Sequence, residues 1–506
     1  MISFVIREGK MFNIDYLLER IDYRIILGSV AKTVSEVVID SRKIVKDCMF
    51  ICIEGYKFDA HTVAEDVINA GASALVIQKE LSASAMDIAR KNNVTLIMVD
   101  DTRYAMAFIS AAFYGYPADS LKVIGITGTK GKTTSAYLIR SALEEAGIKT
   151  GLIGSIEIII GDEHIPSINT TPESFALQGY FKRMLDEGIG VVVMEAASQG
   201  LKLHRTQGFT FELGIFTNLE PDHIGPNEHE SFEEYTECKS RLFRQCRNGI
   251  VNVDDPHLLK VIKDHTCNLL TYGFNKDADL WADNLVLINT PGQPGTEFDV
   301  HGDMELHLKV PTPGYFGAYN ALCAAAVCHY LNVPDQTIIS AVSKAHVKGR
   351  TEIVPVPFPF TLMIDYAHNA MSLESLLKSL KQYEPKRLIV LFGCGGNRSK
   401  DRRYGMGEVA GRLADLSVIT SDNPRDEDPQ EIIDDIKEGI KPTGGRFVEI
   451  INRKEAIRYV IENGRRGDMI VLAGKGHEDY QEIKGVKYPM DERIIVREVI
   501  NEMKNE

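Results

Sequence analysis

One stretch, Leu121–Gly147 (LKVIGITGTKGKTTSAYLIRSALEEAG), limits what this chain can fold into more than any other. Its apolar run Val123–Ile126, set among glycine and β-branched residues, reads as a buried strand. The strand enters Thr127-Gly128-Thr129-Lys130-Gly131-Lys132-Thr133-Thr134. A helical pattern follows, with Ala136, Leu138, Ile139, Ala142, Leu143 and Ala146 on one face and Gly147 as its stop. Strand, glycine-rich turn and helix start together make a phosphate cradle. Backbone N–H groups and the positive helix end face an anion, glycines permit close approach, and Lys132 adds a point charge. The spacing is G-x2-G-x2-G-K-T-T rather than G-x4-G-K-[ST], because Ile126 stands five residues before Gly131. A ligand-free βα turn explains the glycines but not the Lys-Thr-Thr that follows them, so the stretch reads as a nucleotide site.

At 506 residues, 44% hydrophobic and 25% charged, the chain has room for roughly three domains of ~150 residues. A formal charge of -14 argues against a nucleic-acid partner, which needs a basic face. The eight cysteines form no C-x2-C pair, so neither a zinc ribbon nor a disulfide framework is expected. The N-terminus carries early charges and lacks a signal-peptide core, and no apolar run approaches the ~18 residues of a membrane span. The expected location is the cytoplasm.

Three segments of alternating strands and helices predict an α/β fold. The first, residues 1–101, has strands at Val37–Ile39, Met49–Ile53 and Ala74–Ile77 and a helix over Ala64–Ala70. Asp40-Ser41-Arg42 ends one of these strands, where either a polar ligand contact or a simple Asx turn fits. The second segment, 102–348, holds the phosphate loop. Its strand Val191-Val192-Val193-Met194-Glu195 ends in an acid, a common way to present a carboxylate to nucleotide-bound Mg²⁺. Another strand, Leu213–Thr217, delivers Asn218 to His223, and a helix over Phe232–Phe243 carries Lys239. The third segment, 349–506, predicts a parallel Rossmann-like sheet from strands at Leu388–Phe392, Leu416–Thr420, Phe447–Ile451 and Met469–Leu472. Three polar loops end its strands: Gly393–Gly396 with Arg398, Lys400, Arg402 and Arg403 after it, Asp422-Asn423-Pro424-Arg425, and Gly474–Glu478. The first fails the G-x-G-x-x-G spacing of a dinucleotide fold, and its basic neighbours suit an anionic ligand instead.

In this order the motifs resemble the Mur ligase family over nearly the whole chain, closest to its tripeptide-synthetase branch. The resemblance rests on Asp40-Ser41-Arg42, Gly128–Thr134, Asn169-Thr170-Thr171-Pro172, Asn218–His223, Lys239 before Arg241-Leu242-Phe243, and Gly349-Arg350-Thr351-Glu352. It continues through Asp365-Tyr366-Ala367-His368, Gly393–Arg398, Asp422–Arg425 and Gly474–Gln481.

The resemblance implies a three-domain α/β ligase: a small N-terminal α/β domain (1–101), a central P-loop-type mononucleotide domain (102–348) and a C-terminal Rossmann-like domain (349–506). It implies an ATP- and Mg²⁺-dependent enzyme of peptidoglycan precursor synthesis that joins a carboxylate to an amine through an acyl phosphate. Gly128, Thr129, Lys130, Gly131, Lys132, Thr133 and Thr134 would hold ATP, with Asn320, Arg350, Asp365 and His368. Thr133, Glu195, His223 and a CO2-carbamylated Lys239 would serve the metals, and Lys132, Glu195, His223 and Lys239 the chemistry. Closure of the third domain would exclude water from the acyl phosphate.

The UDP-muramoyl-peptide would meet Ile39, Ser41, Tyr56, Lys57, Phe58, Asn169, Thr170, Thr171 and Arg205. The incoming diamino acid would meet Arg403, Asp422, Asn423, Pro424, Arg425, Gly474 and Glu478. An arginine after Asn-Pro marks the meso-diaminopimelate form, since a guanidinium grips a distal carboxylate that lysine as substrate lacks. A monomer is expected, with neither nucleic-acid nor membrane partners.

The chain also departs from the family pattern. Ala196-Ala197-Ser198-Gln199 stands for Val-Ser-Ser-His, Leu203 replaces a polar residue, Gly317 replaces an Asn, and 224–231 is altered and about two residues longer. These changes fall on the acceptor side, so a divergent paralogue using L-lysine or another acceptor is the alternative. A non-catalytic nucleotide- or precursor-binding protein is the alternative from another class.

Overall fold

The computed structural model describes residues 11–56, 58–225, 228–290 and 292–505; Lys57 lies outside them. The chain divides into two compact units, the first ending at Tyr272 and the second beginning at Gly273.

The first unit contains a short antiparallel pair, Phe12–Asn13 with Thr33–Val34, and two larger sheets. The smaller of these two has the order Arg24–Leu27, Thr95–Met98, Ala74–Ile77, Met49–Ile51, Val37–Val38 and is parallel except at its first edge. Apolar residues cover both of its faces, which is why strands such as Ala74–Ile77 read as unbroken hydrophobic runs. The larger sheet runs Glu163–Pro166, Glu157–Ile160, Thr150–Ile153, Val191–Glu195, Lys122–Thr127, Phe211–Phe216, Cys246–Asn252, Asn268–Gly273. The two strands at its Glu163 edge are antiparallel and the others parallel. The strand of the phosphate loop therefore lies inside the parallel part, between the strand ending in Glu195 and the strand leading to Asn218. Loops at the carboxyl ends of adjacent parallel strands converge, and that is where this unit gathers its polar residues. The helices Thr102–Phe113 and Ser174–Asp186 join the two sheets, with the Phe113 and Phe175 rings 5.7 Å apart.

The second unit carries an antiparallel set, Leu280–Thr290, Gln293–Gly302 and Leu306–Val310, with a bulge between Asp283 and Val286. The sequence pattern alone predicts no strands here. Polar residues at half-exposed positions break the hydrophobic alternation that marks a strand. The six-stranded sheet that follows has the order Glu352–Val354, Thr361–Asp365, Asp468–Ala473, Arg387–Phe392, Leu416–Ile419, Phe447–Glu449 and is parallel after its first strand. Helices cover both faces and bury two apolar clusters, as a Rossmann-like sheet requires. The helix over Phe232–Phe243 proves shorter: it ends at Ser240 and tightens into a 3-10 turn, Arg241–Arg244.

Candidate active site

The strand Lys122–Thr127 stops where the helix Lys132–Glu145 starts, and the turn between them holds the expected cradle. Gly128 has φ +150°, and a Cβ there would stand 1.9 Å from Thr217 Oγ1 on the neighbouring strand end. Only glycine fits that close approach. Gly131, at φ +85°, caps the helix from the left-handed region. Asn218 pins the turn from outside, accepting from Thr129 N through its carbonyl and from Lys130 N through Oδ1. The first N–H groups of the helix are thus left pointing toward any anion over Lys132.

Two lysines converge on a single oxygen of this turn. Lys132 Nζ and Lys239 Nζ each donate to Gly128 O at 2.8 Å, and Lys132 also reaches Thr129 O. Lys239 comes from the helix Phe232–Ser240 and is 1% exposed. Burial, and then the Lys132 charge, hold its ammonium well below the usual lysine range. The Tyr235 ring, one helical turn earlier, lies 4.5 Å from Lys239 Nζ, and its hydroxyl meets Thr129 Oγ1 at 3.1 Å. Lys130 is engaged by Glu220 at 2.7 Å.

Glu195 lies buried beside the helix start. Its Oε1 accepts from Thr133 Oγ1 at 3.0 Å and from Ser155 N at 2.8 Å, and its Oε2 from Ser155 Oγ at 3.0 Å. A hydroxyl and a buried carboxylate at this separation form a hard oxygen pair suited to Mg²⁺. His223 is on the following loop at φ +55°, exposed, with ring nitrogens 3.8 Å from Asp222 and 3.5 Å from Glu228. Its ring centroid is 6.3 Å from that of Tyr235. Ser155 and Tyr235 are the contacts that sequence reading missed. The four-residue spacing of Tyr235 and Lys239 on one helix was the available signal for the second.

The residues expected to meet the precursor lie in the same unit. Thr171 Oγ1 donates to Glu195 O and accepts from Ala197 N, so its hydroxyl ties two backbone segments. Thr170 and Ser155 share a hydroxyl contact. Arg205 is bound to Thr171 O and to Glu173, which also engages Arg103. Asn169 is exposed, as are Tyr56 and Phe58. Asp40 caps the 3-10 turn Ser41–Lys43 and pairs with Arg42, so that motif has the Asx-turn geometry, with Ile39 half-buried before it.

In the second unit the Gly393–Gly396 run serves packing. A Cβ on Gly393 would meet Thr420 O at 2.2 Å and one on Gly396 would meet Pro424 O at 1.9 Å. Close backbone approach therefore accounts for Gly393 and Gly396. Arg403 is 1% exposed, with Nη2 on Glu427 and Nη1 on Asp435. Its terminal nitrogens brace the loop from beneath. Within the rim, Asn423 donates to Glu478, and the fully buried Lys475 ties Asn423 Oδ1 to Glu478 Oε2. Gly474, at φ +107°, leaves room for Asp422 Oδ2. Arg425, after Pro424, is at φ +53°, with Nη1 on Gly396 O at 2.6 Å and Nε 3.3 Å from Glu482. Asp365 accepts from Thr351 N and Ala367 N, anchoring two turns, and Arg350 lies over the Tyr366 ring. His368 Nδ1 is 2.8 Å from Tyr366 O, and Asn320 is buried on the helix Tyr315–Tyr330.

Three family models match the chain: Mur ligase family, catalytic domain (residues 33–114), Mur ligase middle domain (126–328) and Mur ligase, glutamate ligase domain (349–476). The UDP-N-acetylmuramoyl-L-alanyl-D-glutamate–2,6-diaminopimelate ligase of Caldanaerobacter subterraneus subsp. tengcongensis is 42% identical over 479 residues, 94% of this chain and 97% of that protein. The enzyme of the same name from Clostridium perfringens is 39% identical, covering 96% and 98%. A solved structure of a ligase with that name superposes with a TM-score of 0.70 at 28% identity, covering 98% of this chain and 100% of that one. MurF ligase from Thermotoga maritima in complex with ADP shares the fold at 15% identity, with a TM-score of 0.58 over 93% of this chain and 98% of that one.

Proposed function

The chain belongs to the Mur ligase family, and from that premise we propose that it joins meso-diaminopimelate to UDP-N-acetylmuramoyl-L-alanyl-D-glutamate at the expense of ATP. The reaction is a cytoplasmic step of peptidoglycan precursor synthesis, carried out by a monomer. No helix among the described residues is long and apolar enough to cross a membrane. The observation that carries the reading is the meeting of Lys132 and Lys239 on Gly128 O beside the Thr133–Glu195 pair.

The domain roles follow the family: precursor binding in 1–101, ATP binding in 102–348 and amino-acid binding in 349–506. Lys132 and the helix N–H groups bind the triphosphate and stabilise charge building on its oxygens as the precursor carboxylate attacks. Thr133 Oγ1 and Glu195 Oε1 fit Mg²⁺, and His223 is the further protein ligand. When bound, the metal supplies charge neutralisation at the phosphates.

Lys239 poses a physical problem, because an ammonium repels both Lys132 and a cation. A buried, neutral amine is the form that adds CO2: the N–C bond forms, one N–H proton is lost to solvent, and the resulting carbamate would offer an anionic oxygen where the ammonium offered none. Asn320, Arg350, Asp365 and His368 are assigned to nucleotide binding. Ile39, Ser41, Tyr56, Lys57, Phe58, Asn169–Thr171 and Arg205 are assigned to the precursor. In the rim, Arg425 takes the distal carboxylate of diaminopimelate, with Asp422, Asn423, Pro424, Gly474 and Glu478 around the amino acid. That arginine favours diaminopimelate over L-lysine, whose distal end is cationic.

The test is to incubate the protein with ATP, Mg²⁺, UDP-N-acetylmuramoyl-dipeptide and a panel of amino acids, following ADP release and product mass. ADP release that requires both acceptor and diaminopimelate is expected. Release indifferent to either one refutes the proposal.

A further inference from the structure

Beside the nucleotide site, the altered loop before Lys239 assembles a second set of ligands that the ligase chemistry does not use. His229 ends that loop with its side chain fully buried. The helix Phe232–Ser240 contributes Glu234 and Cys238, four residues apart and so on one face. Cys238 is a free, buried thiol. The nearest ligand atoms of the three side chains all lie within 4.8 Å of one another.

The imidazole is oriented as a metal ligand would be. Its Nε2 meets Ser198 Oγ at 2.9 Å, and its face is held by the Tyr235 ring at 5.2 Å. Metal binding at Nδ1 requires the tautomer in which Nε2–H donates to the serine. Nδ1 is buried without a hydrogen-bond partner and faces Glu234 Oε2 at 3.5 Å. A buried ring nitrogen without a hydrogen-bond partner, grouped with a carboxylate and a thiol, needs an explanation. A hydroxyl fixing the far ring nitrogen is the usual outer support of a ligating histidine.

We propose that His229 Nδ1, Glu234 and Cys238 Sγ bind a zinc ion. Imidazole, carboxylate and thiolate together suit Zn²⁺, whereas Mg²⁺ does not take sulfur. The carboxylate and the thiolate offset the charge of the ion, and the thiol proton leaves on binding. Tetrahedral bonds to these atoms place ligands roughly 3.4–3.8 Å apart, so small side-chain rotations close the present spacing. Glu234 also accepts from Lys202 Nζ at 2.7 Å and from Glu230 N at 2.8 Å, which holds the carboxylate in place. The ion ties His229 to the helix of Tyr235 and Lys239 and leaves its fourth tetrahedral position to a water molecule.

The full-length protein, stripped with chelator and kept free of nucleotide, is titrated with Co²⁺ and, separately, Zn²⁺. One equivalent of Co²⁺ with a thiolate-to-cobalt charge-transfer band is expected, displaced by Zn²⁺, together with a rise in thermal midpoint on adding Zn²⁺. Cys238→Ser should abolish the band, and His229→Gln should abolish it or weaken Co²⁺ binding at least tenfold. Ser198→Ala, which leaves all ligands in place, should weaken binding by about 10–100-fold. The wild-type titration stands even if a variant fails to fold. Absence of a thiolate band, a band that survives in folded Cys238→Ser, or Co²⁺ displaced by Mg²⁺ with no sulfur signature would each overturn the assignment.

Discussion

Gly154 offers a sharp perturbation of the active site from outside it. A Cβ at this position would stand 2.6 Å from Glu195 Oε1 and 3.5 Å from the carboxyl carbon. Its backbone is not in the left-handed region, so Gly154→Ala carries no strain of its own and acts only through that contact. Ordinary contact begins near 3.4 Å, so the carboxylate must withdraw by about 0.8 Å. A shift of that size displaces Oε1 from its contacts at 3.0 Å to Thr133 Oγ1 and 2.8 Å to Ser155 N, enough to break at least one of them. Losing one bond to a charged group costs about 1.5–3 kcal/mol. If the pair holds Mg²⁺ during catalysis, kcat/KM should fall ~10–100-fold and the Mg²⁺ concentration for half-maximal rate should rise. Overpacking adds ~1–3 kcal/mol of destabilisation, visible as a lower thermal midpoint. ADP release at substrate concentrations below KM, repeated over a Mg²⁺ series, reads the effect. Gly190→Ala is the control, because a Cβ there meets nothing within 4 Å. A Gly154→Ala enzyme with wild-type rate and unchanged Mg²⁺ dependence would refute the placement of Glu195 at the metal.

Lys239→Ala should reduce turnover by two orders of magnitude or more, with partial recovery on adding a small carboxylate that replaces the carbamate oxygens; full activity without additive would dismiss the carbamate. Arg425→Ala should abolish use of diaminopimelate while leaving nucleotide affinity intact, and an unchanged KM for diaminopimelate in ADP release would defeat that role. For Asp59, burial raises the carboxyl pKa, but hydrogen bonds from Lys79 and His61 outweigh it and hold the value at about 2, below the ordinary 3.8. A depressed carboxylate stabilises the fold fully above pH 3.8 and loses that contribution as pH falls toward 2. Asp59→Asn should therefore flatten the decline of thermal midpoint between pH 4 and 2, and equal slopes for both proteins would exclude this contribution.

Much of the site was legible because it lies in consecutive residues. The Gly128–Thr134 turn is local chemistry: glycines where φ is positive, then a helix that must start with free N–H groups. Strands such as Ala74–Ile77 and Val191–Glu195 were readable because burial on both faces leaves an unbroken apolar run. The antiparallel strands after residue 280 were not, since half-exposed strands mix polar and apolar residues without a clean period.

What the sequence determined by itself is therefore the phosphate cradle, the α/β class and the identity of the charged groups around it. Only the tertiary structure decided which partners those groups take. It committed Arg403 to Glu427 and Asp435, set Ser155 under Glu195, and brought Lys239 across 111 positions to the oxygen that Lys132 also holds. It also turned His229 toward Glu234 and Cys238. Spacing along a chain fixes neighbours within a turn or a helix. Partners this far apart are set by sheet order and by the need of each buried charge or donor for a partner.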